Sequence, residues 1–96
     1  VDTILLHEPQ VAIDRHGDEL RASLSGRWTA DRAPAVEARV AELTAAMQGE
    51  RRILFDLSQV ERLDTLGAWV LDRTRHEFGG QGFAADFVGA RPEHHI

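Results

Sequence analysis

The chain has 96 residues, no cysteine and a formal net charge of −5. This length suffices for one domain that buries roughly 60–65 % of its unfolded surface. The absence of thiols excludes disulfide bonds and cysteine-ligated metals, and the negative charge argues against a nucleic-acid partner. Its apolar runs of only a few residues are too short for a membrane-spanning helix or a secretory signal, so we expect no direct membrane insertion by this segment.

Both ends of the sequence resemble the ends of a fragment. The chain begins at Val1 rather than Met and ends on two histidines and an isoleucine. We therefore expect a single domain over residues 1–96, with its core at about residues 10–89, that forms the N-terminal part of a longer chain. The start is ambiguous, since residues 4–6 fit either an extra edge strand or a packed arm.

The first elements predicted are a β-hairpin and a helix. Apolar residues alternate with polar ones on both sides of a turn at residues 16–18, which indicates two strands with one buried face. Ser25-Gly26 is expected to end the second strand. Either Thr29 or Asp31 is expected to cap the helix that follows. Its apolar stripe has helical spacing and consists of Val36, Val40, Leu43 and Met47.

A third strand is predicted at residues 52–57, where three consecutive apolar residues indicate a strand covered on both faces. Asp56 near its end is expected to accept backbone hydrogen bonds from a turn at residues 58–60, a structural role. Asp64 and Thr65 can each cap a second helix, which residues 79–82 would end.

A last strand at residues 83–88 completes the predicted order β-β-α-β-α-β. Helices that alternate with apolar strands indicate an α/β domain in which a small mixed β-sheet is flanked by helices.

Three short segments carry a family resemblance. They read L-S-G-R-W at residues 24–28, F-D-L-S at 55–58 and L-D-T-L-G at 63–67. With these three segments in this order, the chain resembles the STAS domain, which is named for sulfate transporters and anti-sigma-factor antagonists. The resemblance covers about residues 10–89 and implies the same small sheet flanked by helices. Its structural motif residues here are Asp56, Ser58, Asp64 and Gly67.

The resemblance also implies two kinds of function. Free-standing antagonists of the family usually carry a Ser, phosphorylated by a kinase, where this chain has Thr65. Gly67-Ala68-Trp69 then stands where antagonists more often have Gly-Leu-Gly. The chain is therefore more similar to STAS domains fused to, or associated with, the permeases of Mla-type ABC lipid transporters.

Helical periodicity divides the second helix into two faces. The core face is predicted to consist of Gly67, Val70, Leu71, Thr74 and Phe78. The opposite, outward face is predicted to consist of Thr65, Trp69, Asp72 and His76. A Trp on that side exposes a large apolar surface unless it folds onto a neighbouring loop or a partner covers it. Gly67 would let the helix approach the sheet closely.

The outward face is predicted to bind a partner, with two alternatives open for Thr65. It can be a helix cap or a contact residue, and phosphorylation would place a phosphate beside Asp64, whose like charge opposes it. Asp56 and Asp64 could form an acid/base pair, but no nucleophile, His or metal ligand is placed to join them, so we expect no catalytic site, no metal and no cofactor.

The predicted function is a non-catalytic regulatory or assembly domain of a bacterial ABC lipid transporter. Its partners would be the transporter's ATPase subunit and permease, at the cytoplasmic, inner face of the membrane. The alternative is an anti-sigma-factor antagonist switched by phosphorylation of Thr65. Both a monomer and a homo-oligomer are compatible with the sequence.

Overall fold

The computed structural model describes residues 8–90, so residues 4–6, for which both an edge strand and a packed arm are expected as alternatives, lie outside the described part. The strands and helices occur in the predicted order β-β-α-β-α-β. They are β1 (Gln10–His16), β2 (Glu19–Trp28), α1 (Ala33–Ala46), β3 (Arg52–Leu63), α2 (Thr65–Gly80) and β4 (Ala84–Val88). A short 3-10 helix, Ala30–Arg32, lies between β2 and α1.

The four strands form one mixed sheet in the order β1-β2-β3-β4. β1 and β2 are antiparallel and are joined by a tight turn in which Gly17 has a φ of 63°. β2 pairs with β3, and β3 with β4, in parallel. Parallel neighbours require a crossover connection, and α1 and α2 supply the two crossovers. The predicted mixed α/β fold is therefore confirmed.

Both helices and one face of the sheet form a single hydrophobic core. The buried residues of α1 are Val36, Val40 and Leu43. Those of α2 are Gly67, Val70, Leu71, Thr74 and Phe78, the five residues predicted for its core face. The one polar side chain in this group is satisfied, because the Thr74 hydroxyl donates a hydrogen bond to the Val70 carbonyl at 2.8 Å.

The prediction that the third strand is covered on both faces is wrong for the described residues. Ile53 and Phe55 are fully buried in the core, but Leu54 between them is only half-buried. Successive side chains of a strand point to opposite faces, so Leu54 lies on the sheet face away from that core. Arg21 and Asp56, a salt bridge at 3.1 Å, lie on the same face.

The two central strands are longer than the sequence pattern indicates. β2 is not ended by Ser25-Gly26 but continues to Trp28. β3 likewise passes through the predicted turn at residues 58–60. The pairing of the two strands shifts register twice in this region, and Gly26 takes a φ of 81° there. Burial alternates without interruption along β2 to Trp28, whereas two successive exposed residues follow Leu57 in β3 without ending that strand.

The predicted cap of the first helix is also wrong. The Thr29 hydroxyl donates a hydrogen bond to the Asp31 carboxylate, and neither side chain caps a helix. α1 begins only at Ala33, after the 3-10 turn. The backbone N–H of Ala30 instead donates a hydrogen bond to Asp64, at the start of α2. The loop after β2 is thereby attached to the second helix.

Candidate partner-binding face

Asp64 fixes the start of α2. One of its carboxylate oxygens accepts a hydrogen bond from the Gly67 N–H at 2.9 Å, as an N-cap does. The other accepts from the Ala30 N–H at 2.8 Å. The alternative that Thr65 is the cap is therefore wrong, because Thr65 is the first residue of the helix and is exposed.

Gly67 sets the distance between α2 and the end of β2. A Cβ atom at this position would lie 2.0 Å from the Trp28 carbonyl oxygen, far inside contact distance. The helix and the strand can therefore approach this closely only with glycine here. Trp28 itself is fully buried, and its indole N–H donates to the Ser25 carbonyl at 2.9 Å. This contact fixes the rotation of α2 and hence the direction of its outward face.

The outward face contains the predicted residues, and all four are exposed: Thr65, Trp69, Asp72 and His76. Trp69 is 58 % exposed, and it is the only exposed large hydrophobic side chain within residues 8–90. The predicted exposure of Trp69 is confirmed. The role of the four residues in binding remains a prediction.

Arg73 and Glu37 adjoin this face and were missed in the sequence. The guanidinium carbon of Arg73 lies 5.0 Å from the centre of the Trp69 ring. The same guanidinium donates a hydrogen bond to Glu37 of α1 at 2.7 Å. The spacing of Trp69 and Arg73, four positions apart on one helix, was a usable signal. Glu37 lies on another helix, so no local spacing could identify it.

Asp72, Arg75 and His76 form the polar end of the outward face. The Asp72 carboxylate accepts a hydrogen bond from Arg75 at 2.9 Å, and His76 Nε2 lies 3.4 Å from it. The bond from Arg75 lowers the pKa of Asp72, and the charge of a protonated His76 lowers it further. Asp72 is therefore ionised at neutral pH.

Asp56 lies in β3, apart from this face, and has structural contacts. Its carboxylate accepts hydrogen bonds from the Ser58 N–H at 2.9 Å and from Arg21 at 3.1 Å. The bonds from Ser58, followed by the Arg21 guanidinium, lower the pKa of Asp56. Gly89 passes so close that a Cβ there would lie 2.7 Å from the carboxylate. These contacts hold together β2, β3 and the segment after β4.

Neither a metal centre nor a membrane span occurs in the described part of the chain. No three His, Asp or Glu side chains there are close enough together to hold a metal ion. No helix between residues 8 and 90 is long and apolar enough to cross a membrane.

Comparison with protein families identifies the domain. A family model described as "Mlab, STAS domain" matches residues 11–94. The chain belongs to the STAS domain family. STAS domains are in general non-catalytic regulatory domains that interact with partner proteins. A search of curated proteins found no match.

Solved structures share the fold at low sequence identity. An anti-sigma-factor antagonist from Mycobacterium paratuberculosis is 24 % identical, with a TM-score of 0.74 over 91 % of this chain and 72 % of that one. The anti-sigma-factor antagonist SpoIIAA in its unphosphorylated form is 17 % identical, with a TM-score of 0.67 over 88 % of this chain and 73 % of that one. Mglu is 22 % identical, with a TM-score of 0.70 over 84 % of this chain. This chain spans only 20 % of Mglu.

Proposed function

We propose that this STAS domain is a non-catalytic regulatory or assembly domain of a bacterial ABC-type lipid transporter. Its outward α2 face would dock on the transporter's ATPase subunit. The observation that carries the proposal is the 58 % exposure of Trp69 beside Thr65 on a helix whose other face is buried. Such an exposed indole supports a role of this face in contact with another protein.

Exposing the Trp69 indole to water costs free energy that contact with a partner would recover. Trp has one of the largest apolar surfaces of any side chain, and it is enriched among the residues that dominate the energy of protein interfaces. Asp72 and His76 lie further along the same face and are charged or polar. An apolar anchor bordered by solvated polar groups is the usual arrangement of an interface core and its rim.

Two features support a transporter partner over other partners. The description of the matching family includes Mlab. Thr65 and the segment Gly67-Ala68-Trp69 resemble the corresponding residues of STAS domains that accompany Mla-type permeases. The domain would then act at the cytoplasmic face of the membrane, either fused to the permease or as a separate small subunit. A reading frame that continues into several apolar spans of about 20 residues would indicate the fused arrangement.

The proposal is tested by measuring the affinity of the chain for the ATPase subunit encoded with it. Trp69→Ala should weaken binding by at least about 30-fold, which corresponds to an interface hot spot of about 2 kcal/mol. Thr65→Ala and Thr65→Glu should both weaken binding, the second through added bulk and charge. Truncation of Asp72 or His76 should matter less, because exposed polar contacts contribute little.

Thr44→Ala is the matched control, since Thr44 is an exposed threonine on α1 outside the proposed face. It should leave the affinity unchanged. Each variant is also unfolded thermally, so that lost binding is separated from lost folding. Unchanged affinity in Trp69→Ala and in both Thr65 variants would contradict the proposal.

The second candidate function is that of an anti-sigma-factor antagonist switched by phosphorylation of Thr65. It is favoured by the fold shared with two solved antagonists and by the exposure of Thr65 at a helix N-terminus. The Asp64 carboxylate beside it would oppose the added phosphate. Incubation with the anti-sigma kinase of the same organism and mass spectrometry test this function. A phosphate on Thr65 that abolishes kinase binding would favour it over the transporter.

A further inference from the structure

The exposed indole of Trp69 is in contact with a cation of its own helix. Arg73 lies one turn further along α2, with its guanidinium carbon 5.0 Å from the ring centre. Long helical side chains lean towards the N-terminus of their helix, which brings a residue at i+4 over residue i. A guanidinium placed over an aromatic ring is attracted by the electrons of the ring face. Arg73 therefore restrains one side of the indole.

Arg73 is itself attached to the other helix. Its guanidinium donates a hydrogen bond to Glu37 of α1 at 2.7 Å, and Glu77 of α2 lies 3.8 Å away. α1 is fixed in the core by Val36, the residue directly before Glu37, which is fully buried. The ion pair thus connects the indole, through Arg73, to a rigid part of the domain.

We propose that Glu37 and Arg73 are positioning residues that hold the Trp69 indole in one orientation before the partner binds. The inference deepens and rests on the proposed function, since it concerns the affinity of the same face. A mobile indole would lose rotational freedom on binding, and prior restraint reduces that loss. α1 would then contribute to binding through Arg73 rather than through contact with the partner.

The first experiment needs no partner. Because the chain has two Trp residues, its nitrogen-15 NMR spectrum contains two indole N–H signals, which Trp69→Phe assigns. The heteronuclear NOE of the Trp69 indole should fall in Glu37→Gln and in Arg73→Met, while that of buried Trp28 stays constant. Unchanged Trp69 values in both variants would overturn the inference.

Glu42→Gln is the matched control for Glu37→Gln. The two glutamates lie on α1 with almost equal exposure, 52 % and 51 % of their side chains, and each pairs with an arginine. Glu42 pairs with Arg39 at 2.6 Å rather than with Arg73. Glu42→Gln should therefore leave the Trp69 signal unaltered. An equal drop in both glutamine variants would show a general loss of helix order and would overturn the inference.

The second experiment measures affinity for the ATPase subunit in a double-mutant cycle. Glu37→Gln and Arg73→Met should each weaken binding by about 2–5-fold, the size of an exposed cation–π contact. Glu37→Gln should have no further effect in a Trp69→Ala background, because it acts only through the indole. Additive losses would mean that Glu37 contacts the partner directly and would overturn the inference.

The two proposals fail in different ways. Unchanged affinity in Trp69→Ala and in both Thr65 variants would overturn the proposed function, and with it the expected effect of Glu37 and Arg73 on affinity. Weak binding by Trp69→Ala, together with an unchanged indole NOE in Glu37→Gln and Arg73→Met, would overturn the inference alone.

Discussion

The two tryptophans of this domain have opposite environments. Trp28, at the end of β2, is fully buried and donates its indole N–H to the Ser25 carbonyl. Trp69, on α2, is 58 % exposed. Gly67, which lies two residues before Trp69 on α2, packs against the Trp28 backbone. Tryptophan thus belongs to the core on one side of α2 and to the exposed surface on the other.

This difference shows how the fold positions a binding surface. The close approach of Gly67 to Trp28 fixes the rotation of α2 about its axis, and helical geometry then directs Trp69 away from the core. Stability and binding should therefore be separable by mutation. Residues on the core side should affect unfolding, and residues on the outward side should affect the partner.

The largest expected effect separates the two tryptophans directly. Trp28→Ala should lower the free energy of unfolding by about 3–5 kcal/mol, because it leaves a large cavity in the core. Trp69→Ala should lower it by less than about 1 kcal/mol, since the indole is already largely in water. Urea unfolding followed by circular dichroism measures both. Similar losses in the two variants would show that Trp69 belongs to the core.

The next effect concerns the contact between α2 and β2. Gly67→Ala should destabilise the domain by about 3 kcal/mol, because the added Cβ meets a backbone oxygen that cannot move aside. Gly79→Ala is the matched control on the same helix, where a Cβ would meet nothing within 4 Å. It should stabilise the helix by up to about 1 kcal/mol. A loss of stability well below about 3 kcal/mol in Gly67→Ala would contradict the conclusion that the Gly67–Trp28 contact fixes the rotation of α2.

A smaller effect tests the start of α2. Asp64→Ala should cost about 2 kcal/mol, since it removes the helix cap and the bond to the Ala30 N–H. Thr65→Ala, one residue further, should change stability by less than about 0.5 kcal/mol, because its side chain is exposed and does not cap. If Thr65→Ala lost more stability than Asp64→Ala in thermal or urea unfolding, the helix cap would be Thr65 instead.

The smallest effect is expected at the polar end of the outward face. Because the pKa of Asp72 is lowered in the folded chain, its ionised form contributes stability above the ordinary aspartate pKa. That contribution is lost as the pH falls through the lowered pKa. The stability difference between the wild type and Asp72→Asn should therefore begin to shrink as the pH falls below about 4, and it should be lost only below the lowered pKa. NMR titration of the carboxyl carbon should give a higher pKa for Asp72 in Arg75→Met; an unchanged pKa would contradict the role of Arg75.

Local pattern was sufficient for α2 and insufficient for the central strands. The helical spacing of apolar residues predicted the five buried positions of α2 and the exposure of Trp69. Spacing did not predict that β2 and β3 continue beyond Gly26 and Ser58. Ser25-Gly26 has the composition of a strand end although β2 continues through it, and the burial of β3 stops alternating after Leu57. Neither did it predict the half-burial of Leu54, since a run of apolar residues does not reveal whether both sheet faces are covered.

The sequence by itself determined the order of the elements and the outward direction of Trp69, because period and spacing are local properties of the chain. Only the tertiary structure decided which side chains meet. Asp64 bonds to Ala30, 34 positions earlier, and Arg73 bonds to Glu37, 36 positions earlier. Such pairs depend on how the helices and strands pack against one another, and packing is settled by the whole core rather than by any one segment.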